Sequence, residues 1–329
     1  MTKDTSLKGY FFKKKKKRSR KRLCAAYMCV FLLVLFFKNS DATSAWVSRG
    51  LELCVKKLTP SLFPFLVVSS LVVTSGAGTS IFKIFEKPLS TLFGVSKGCC
   101  APIILGWLCG FPVGARCASE LYREKSISAS EYSRVLCISS IPSPAFLIGA
   151  VGGAMLGSAA SGVLLYALCL ISCVLVGIFL KITSRAVPVQ DSLPLYERSG
   201  KGFAASLTSA VTDSALSMLY ICGFVVFFSA FLGALEGALA LYGLSDAWSA
   251  LLFSLFEITS GVSKISSLSG ATLPLCALAV GWSGLSVHFQ TAAICSSDGI
   301  KLLPYVLSHL AKALICFALA AVICLIGVI

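Results

Sequence analysis

Two apolar stretches decide how this chain reads: VLCISSIPSPAFLIGAVGGAML (Val135–Leu156) and ATLPLCALAVGWSGLSVHFQTAAIC (Ala271–Cys295). Each has the length and composition of a membrane-crossing helix, and each is broken in its middle. The first is interrupted at Ser140-Ile-Pro-Ser-Pro144, the second at Gly281-Trp-Ser-Gly284. Each follows a shorter apolar segment that is itself broken, at Gly106-Trp-Leu-Cys-Gly-Phe-Pro-Val-Gly114 and at Phe256-Glu-Ile-Thr-Ser-Gly261. In lipid, unwound backbone is tolerated only where it is buried in protein or lines a cavity. Matched interrupted segments in corresponding halves point to a transporter binding site.

The composition agrees with a membrane environment. Hydrophobic residues make up 57% of the 329 and charged residues only 13%, about half of what a soluble chain carries. The net charge of +15 is concentrated at one end: residues 1–22 hold 11 Lys/Arg and one Asp. The run Lys13–Arg22 abuts the apolar segment Leu23–Phe37. It therefore reads as a cytoplasmic, positive-inside signal that also suits anionic lipid headgroups, and not as a nucleic-acid tail. Leu23–Phe37 is expected to be a retained first helix, with cleavage near Thr43-Ser-Ala45 as the rival reading. The 15 cysteines include no Cys-x-x-Cys pair and lie mostly in apolar runs, where they act as small hydrophobes; no metal site is expected.

Along the chain, Ala45–Leu58 is weakly amphipathic and reads as interfacial, and Leu62–Thr74 as a span entered through Pro60-Ser-Leu-Phe-Pro64. Ile81–Phe93 reads as an interfacial amphipathic helix. The stretch Cys99–Ala115 is decided by loop charge. If it spans, the loops Arg116–Arg134 and Lys181–Lys201 fall outside with eight Lys/Arg. If it is a hairpin entering from the cytoplasmic side, Lys83–Lys97 and both of those loops lie inside, with eleven. The second arrangement fits the positive-inside rule. Continuing the count makes Trp248–Ser269 a hairpin entering from the opposite side. The expected fold is thus an all-α polytopic membrane protein of inverted repeats, with two re-entrant hairpins and two discontinuous transmembrane helices. Its parts are a basic cytoplasmic tail (1–22), a first helix with an interfacial segment (23–57), repeat 1 (58–180), a polar linker (181–202) and repeat 2 (203–329).

Glu257 is the acidic residue in the middle of a hydrophobic segment, and an intramembrane carboxylate costs roughly 3 kcal/mol on insertion scales. It is therefore expected to face a cavity, as a substrate or coupling-ion ligand, or else to bind backbone amides of the opposite hairpin. His288 and Gln290 follow the second break; His288, four residues after Gly284, shares its helical face. Ser140, Ser143, Thr259, Ser260 and Ser283 cluster at the breaks. New helix N-termini after Pro144 and Gly284 would present N–H groups to a carboxylate or phosphate. Gly110, Phe111 and Pro112 form the first hairpin turn. Arg116 and Lys264 follow the two hairpin turns, either near the site or snorkelling to the interface. Arg123, Lys125, Glu120, Glu124 and Glu131 read as a solvated face. No His-x-x-x-His or paired-carboxylate arrangement is present, and Gly152-Gly-Ala-Met-Leu-Gly157 lacks the Lys-Ser/Thr of a phosphate loop, so no enzyme is expected.

Six short stretches, in order, resemble the YlbJ-type sporulation integral membrane proteins of the nucleoside-recognition, or Gate-domain, group. They are Pro60-Ser-Leu-Phe-Pro-Phe-Leu66, Gly106-Trp-Leu-Cys-Gly-Phe-Pro-Val-Gly-Ala115, Glu120-Leu-Tyr122, Pro144-Ala-Phe-Leu-Ile-Gly-Ala-Val-Gly152, Glu257-Ile-Thr-Ser-Gly261 and Gly281-Trp-Ser-Gly-Leu-Ser-Val-His-Phe-Gln290. The resemblance covers about residues 58–325. It implies a role in endospore formation, in the bacterial cell membrane or the outer forespore membrane, and dipicolinic acid as substrate. It also implies likeness to concentrative nucleoside transporters. The chain departs from the family pattern at Cys137-Ile-Ser-Ser-Ile-Pro142 and in its long Lys/Arg head. The expected function is transport of a small anionic or aromatic metabolite. H+ or Na+ is the candidate coupling ion, and no cofactor is expected. A nucleoside substrate is the alternative, and a non-transporting assembly or signalling role in the membrane the second. Nothing in the sequence specifies an oligomer.

Overall fold

The computed structural model describes residues 22–74, 78–183, 202–239, 243, 245–270 and 272–327. Of the basic run only Arg22 is described, and most of the 181–202 linker also lies outside the described residues. The chain is all-α, and by length and composition four of its helices can cross a membrane, or up to six if each bent helix pair is one span. Helix α1 (Arg22–Lys38) meets the next helix at 95°. Then α2 (Ser40–Leu53) runs through a π-helical turn (Cys54–Leu58) into α3 (Thr59–Thr74) with no non-helical residue between them. The widened turn directly precedes Pro60, which lacks an N–H and whose ring crowds a regular ladder. The expected interfacial segment ending at Leu58 and the expected span after it are therefore joined as continuous helix, with the π turn between them. Its α2 part is held by α9 (Phe203–Leu239), with Trp46 against Gly233 and Gly50 against Val226 and Ser229.

Those contacts also fix direction. Trp46 meets Gly233, Gly50 meets Val226 and Ser229, Cys54 reaches the Cys222 carbonyl, and Leu66 and Ser70 share a recess with Asp213, Ser214 and Ser217. The partner number falls as the residue number rises, so α2–α3 and α9 are antiparallel. The same holds for α8 (Ala159–Thr183) and α14 (Leu303–Leu325), because Cys316 Sγ reaches Leu168 O and Ser172 Oγ, while Lys312 and Cys173 both reach carbonyls at Cys137 and Ile138.

Between α3 and α8 come α4 (Gly78–Phe93), α5 (Cys100–Cys109), α6 (Val113–Arg123), α7 (Ala129–Ser139) and a π-helical segment (Ala145–Met155). The amphipathic α4 buries Phe82, Leu89 and Phe93 and exposes Ile84 and Phe85; it turns 105° into the segment leading to α5. Helices α5 and α6 fold back on each other as a hairpin around Gly110–Pro112. After α9 the order recurs: a hairpin of α10 (Asp246–Phe256) and α11 (Ile258–Ile265), a broken helix of α12 (Thr272–Trp282) and α13 (Gly284–Cys295), then α14. In lipid, helices associate by close packing more than by hydrophobic force. Small residues supply that closeness here, at Gly152 against Gly162 and Gly281 against Ala313.

One surface expectation is corrected. Glu131 is buried, not solvated. With Ser128 it forms a capping box at the start of α7, and its second oxygen accepts from Ser96 N at 2.9 Å. Arg123 does reach solvent, but it pairs with Asp298 Oδ1 at 2.7 Å.

Candidate functional site

The two hairpin tips sit on the two helix breaks. Gly110, at the first tip, has φ +73°, and a Cβ there would lie 2.6 Å from Ser143 N in the first break. Gly284, in the second break, has φ +79°, and its Cβ would lie 2.9 Å from Ile258 N and 3.2 Å from Glu257 Cα at the second tip. Only glycine combines the left-handed conformation with such an approach. These two residues are the reason the breaks and tips can touch.

Glu257 is 1% exposed, in extended conformation between α10 and α11. Its carboxylate accepts from Thr259 N at 2.9 Å and Ser260 N at 2.6 Å. It thus caps α11 of its own hairpin; it does not bind the amides of the opposite one. Ser143 plays a similar part at the first break, accepting from Phe146 N at 3.2 Å and so capping the π-helical segment that begins after Pro144. At the second break Ser283 is left-handed (φ 74°) and turns its hydroxyl back to Val280 O. No side chain caps α13, whose first turns carry Ser286 and Val287.

Between the tips and breaks lies a cavity of about 60 Å³. Phe111, Ser143, Glu257, Thr259 and Gln290 line it among the expected site residues, together with Ser286 and apolar side chains of α3 and α9 such as Leu62, Leu66 and Val225. That volume admits a few waters. The other expected residues stand around it. Gly110 and Gly284 make the close contacts, and Pro112 faces a neighbouring recess. Ser260 faces another recess and meets Ser229 Oγ at 3.3 Å. The Ser140 carbonyl receives a lysine, described below.

His288 is placed elsewhere. It is buried against Trp282, Tyr305 and His309, toward α14, and among the described residues neither ring nitrogen has a hydrogen-bond partner. Gln290, on a different side of the same helix, is the residue that reaches the cavity.

A recess of about 430 Å³ adjoins the cavity at Gln290 and carries Arg116, Glu120 and Arg123; one of about 390 Å³ at Ser260 carries Arg49, Glu52, Lys56, Lys57 and Lys264. Both hold more basic than acidic side chains. Lys264 is also bound, to Glu236 at 2.5 Å and Ser249 at 3.0 Å, and it lies over the Phe253 ring. On the side of the first recess Asp298, in the α13–α14 connection, accepts from Ser119, Tyr132 and Arg123, each at 2.7 Å. Burial alone would raise the Asp298 pKa, but these three donors outweigh it and hold the carboxyl below its ordinary value.

Sequence reasoning missed Lys312. It is 1% exposed in the middle of α14, and its Nζ donates to Ser140 O at 2.7 Å and Cys137 O at 3.3 Å and meets His309 Nε2 at 3.2 Å. A lone lysine in an apolar helix of 23 residues is the signal that could have found it. Sequence reasoning, which expected no Gly-x-Ser-x-Gly motif, also passed over Gly94-Val-Ser-Lys-Gly98, whose spacing has the form of a nucleophile elbow. However, Ser96 is buried with its hydroxyl on Cys99 Sγ, and both histidines of the chain lie in the α13–α14 cluster.

No family model matches the chain, and no solved structure matches it. A curated relative does: the sporulation integral membrane protein YlbJ of Bacillus subtilis strain 168, 26% identical over an alignment 322 positions long that covers 88% of this chain and 79% of that protein. With its all-α membrane architecture, the chain is thus similar over most of its length to a YlbJ-type sporulation integral membrane protein.

Proposed function

We propose that this protein is a multi-pass transporter of a small anionic or aromatic metabolite, built from two inverted repeats (58–180 and 203–329) and acting in endospore formation. The observation that carries the reading is the small cavity where two hairpin tips meet two helix breaks, flanked by two recesses that hold more basic than acidic side chains. Unwound backbone in a membrane protein belongs in such a place. The antiparallel packing of α3 on α9 and of α8 on α14 supports the inversion, since those pairs occupy corresponding positions. The basic recesses attract anions, and the uncapped first turn of α13 beside Ser286 suits a carboxylate. Dipicolinate is the first candidate substrate. The N-terminus is cytoplasmic, with Lys13–Arg22 on anionic lipid headgroups, and the membrane is the cell membrane or the outer forespore membrane.

One observation favours a nucleoside as the second reading. The polar groups lining the central cavity are Glu257, Thr259, Gln290, Ser143 and Ser286, with no basic side chain among them. A neutral, hydrogen-bonding solute fits that lining without facing the Glu257 carboxylate as a like charge.

Uptake of labelled dipicolinate and of labelled nucleosides into vesicles carrying the protein separates these readings. Dipicolinate uptake above empty vesicles is the expected result. Nucleoside uptake alone moves the assignment to the second reading. Uptake of neither, by protein shown to be folded, leaves an assembly or signalling role.

A further inference from the structure

The first break ends α7, whose last four carbonyls have no partner within the helix and whose C-terminus carries the negative end of the helix dipole. Two carbonyls there, Cys137 O and Ser140 O, converge on one point. His309 Nε2 approaches the same point from α14. Three neutral acceptors around one position make a cradle for a cation, and broken membrane helices use carbonyls of this kind to hold small cations.

The position is filled by the Lys312 ammonium. Its three N–H groups are matched by those three acceptors, so none is left for a substrate carboxylate. The titratable groups around it are the thiols of Cys137, Cys169, Cys173 and Cys316 and the rings of Tyr305, His309 and, beyond it, His288. Among the described residues no carboxylate pairs with it. A fully buried ammonium without a counter-charge is expensive unless its site is made for a cation. His309 must accept at Nε2, which leaves its hydrogen on Nδ1.

We propose that Lys312 is a built-in cation of the first break: its ammonium holds the carbonyl cradle in which a free monovalent cation would otherwise bind, so this half of the molecule takes no Na+. The proposal uses the transporter reading only to give that cation a place in a transport cycle; the site itself is tested without transport.

Thermal unfolding of the full-length protein in detergent is the test, in equal concentrations of sodium, potassium, ethylammonium or choline chloride. The wild-type midpoint should be the same in all four. Lys312→Ala should melt lower in choline, which is too large for the cradle, and be raised by about 5 °C by ethylammonium or by one of the metal ions. A wild-type protein stabilised by Na+ or K+ relative to choline overturns the proposal. So does a Lys312→Ala variant that no small cation raises. Should Lys312→Ala fail to fold in choline, Lys312→Met decides: it removes the ammonium while keeping most of the volume. A midpoint equal to wild type means that the carbonyls need no cation, which also overturns the proposal; a midpoint well below wild type upholds it. Cation rescue in a protein that moves no solute would leave this site standing and sink only the transport reading.

Discussion

At the scale of the residue, Glu257 holds two roles that can be separated. Both carboxylate oxygens are committed to backbone donors of α11, so the side chain shapes the hairpin tip whatever else it does. Glu257→Gln keeps one acceptor oxygen and should fold with a loss of about 1 kcal/mol, the usual scale of a weakened cap. Glu257→Ala leaves two buried N–H groups unpaired and should lose about 3 kcal/mol. Unfolding of both variants in detergent measures the difference. If Glu257 also couples transport to protons, Glu257→Gln should remain folded while its uptake loses dependence on pH; uptake like wild type at every pH would assign coupling elsewhere. Glu257 was legible in the sequence because an acid stands out among Leu251–Phe256 and Ile258. Lys312 was not. The long apolar run of the sequence there is Leu310–Val328, and a span read from it puts Lys312 in the first turn, where a lysine reaching the interface is ordinary. The helix begins at Leu303, and the extra seven residues, about 10 Å of helix, carry Lys312 to the depth of the breaks.

At the scale of the element, the hairpins and broken helices depend on two glycines that act as hinges of contact, not as flexible joints. Gly110→Ala and Gly284→Ala each impose a left-handed alanine and push a methyl group against backbone, at 2.6 and 2.9 Å. The conformation alone costs about 1 kcal/mol. Gly157 isolates that part, since its φ is +67° and nothing lies within 4 Å of its Cβ position. Gly157→Ala should therefore cost about 1 kcal/mol in thermal unfolding, and Gly110→Ala and Gly284→Ala at least twice that, with the hairpin displaced from its break. Equal losses at all three would mean that the tips do not bear on the breaks. Glycine and proline punctuation made these elements readable, because in an apolar run nothing else stops a helix. The same cue misled at Pro60. There a π turn accommodates the proline within continuous helix, and the long neighbour α9, which holds α2 in place, is a tertiary fact that local sequence does not carry. Glu131 misled in the opposite way: a charge in a charged stretch reads as solvated, although Ser128-x-x-Glu131 spells the capping box that buries it.

At the scale of the whole molecule, the central cavity is too small for a metabolite, so under the transporter reading the structure is a closed state that must open toward one recess at a time. In each recess one lining cation, among the described residues, forms an ion pair that joins a hairpin arm to another part of the chain. Arg123–Asp298 ties α6 to the α13–α14 connection, and Lys264–Glu236 ties α11 to α9. Breaking one should loosen that side alone. Asp298 offers two independent ways to do so. Asp298→Asn removes the charge and keeps the shape. Acid does the same to the wild type, and the sign follows from the depressed carboxyl: its contribution is complete above the ordinary aspartate value near 4 and is lost as pH falls through the lower folded-state value. Hydrogen exchange should therefore be several-fold faster in Val113–Arg123 of Asp298→Asn than of wild type at neutral pH, and unchanged in Ile258–Ile265. Wild type taken below pH 4 should approach the variant's pattern, once both are corrected for the intrinsic slowing of exchange in acid. Lys264→Met should show the mirror image, with α11 loosened and α6 unchanged. Equal loosening of both hairpins in either variant would mean that the two sides do not open separately, and the alternating mechanism that the two recesses suggest would fail with it.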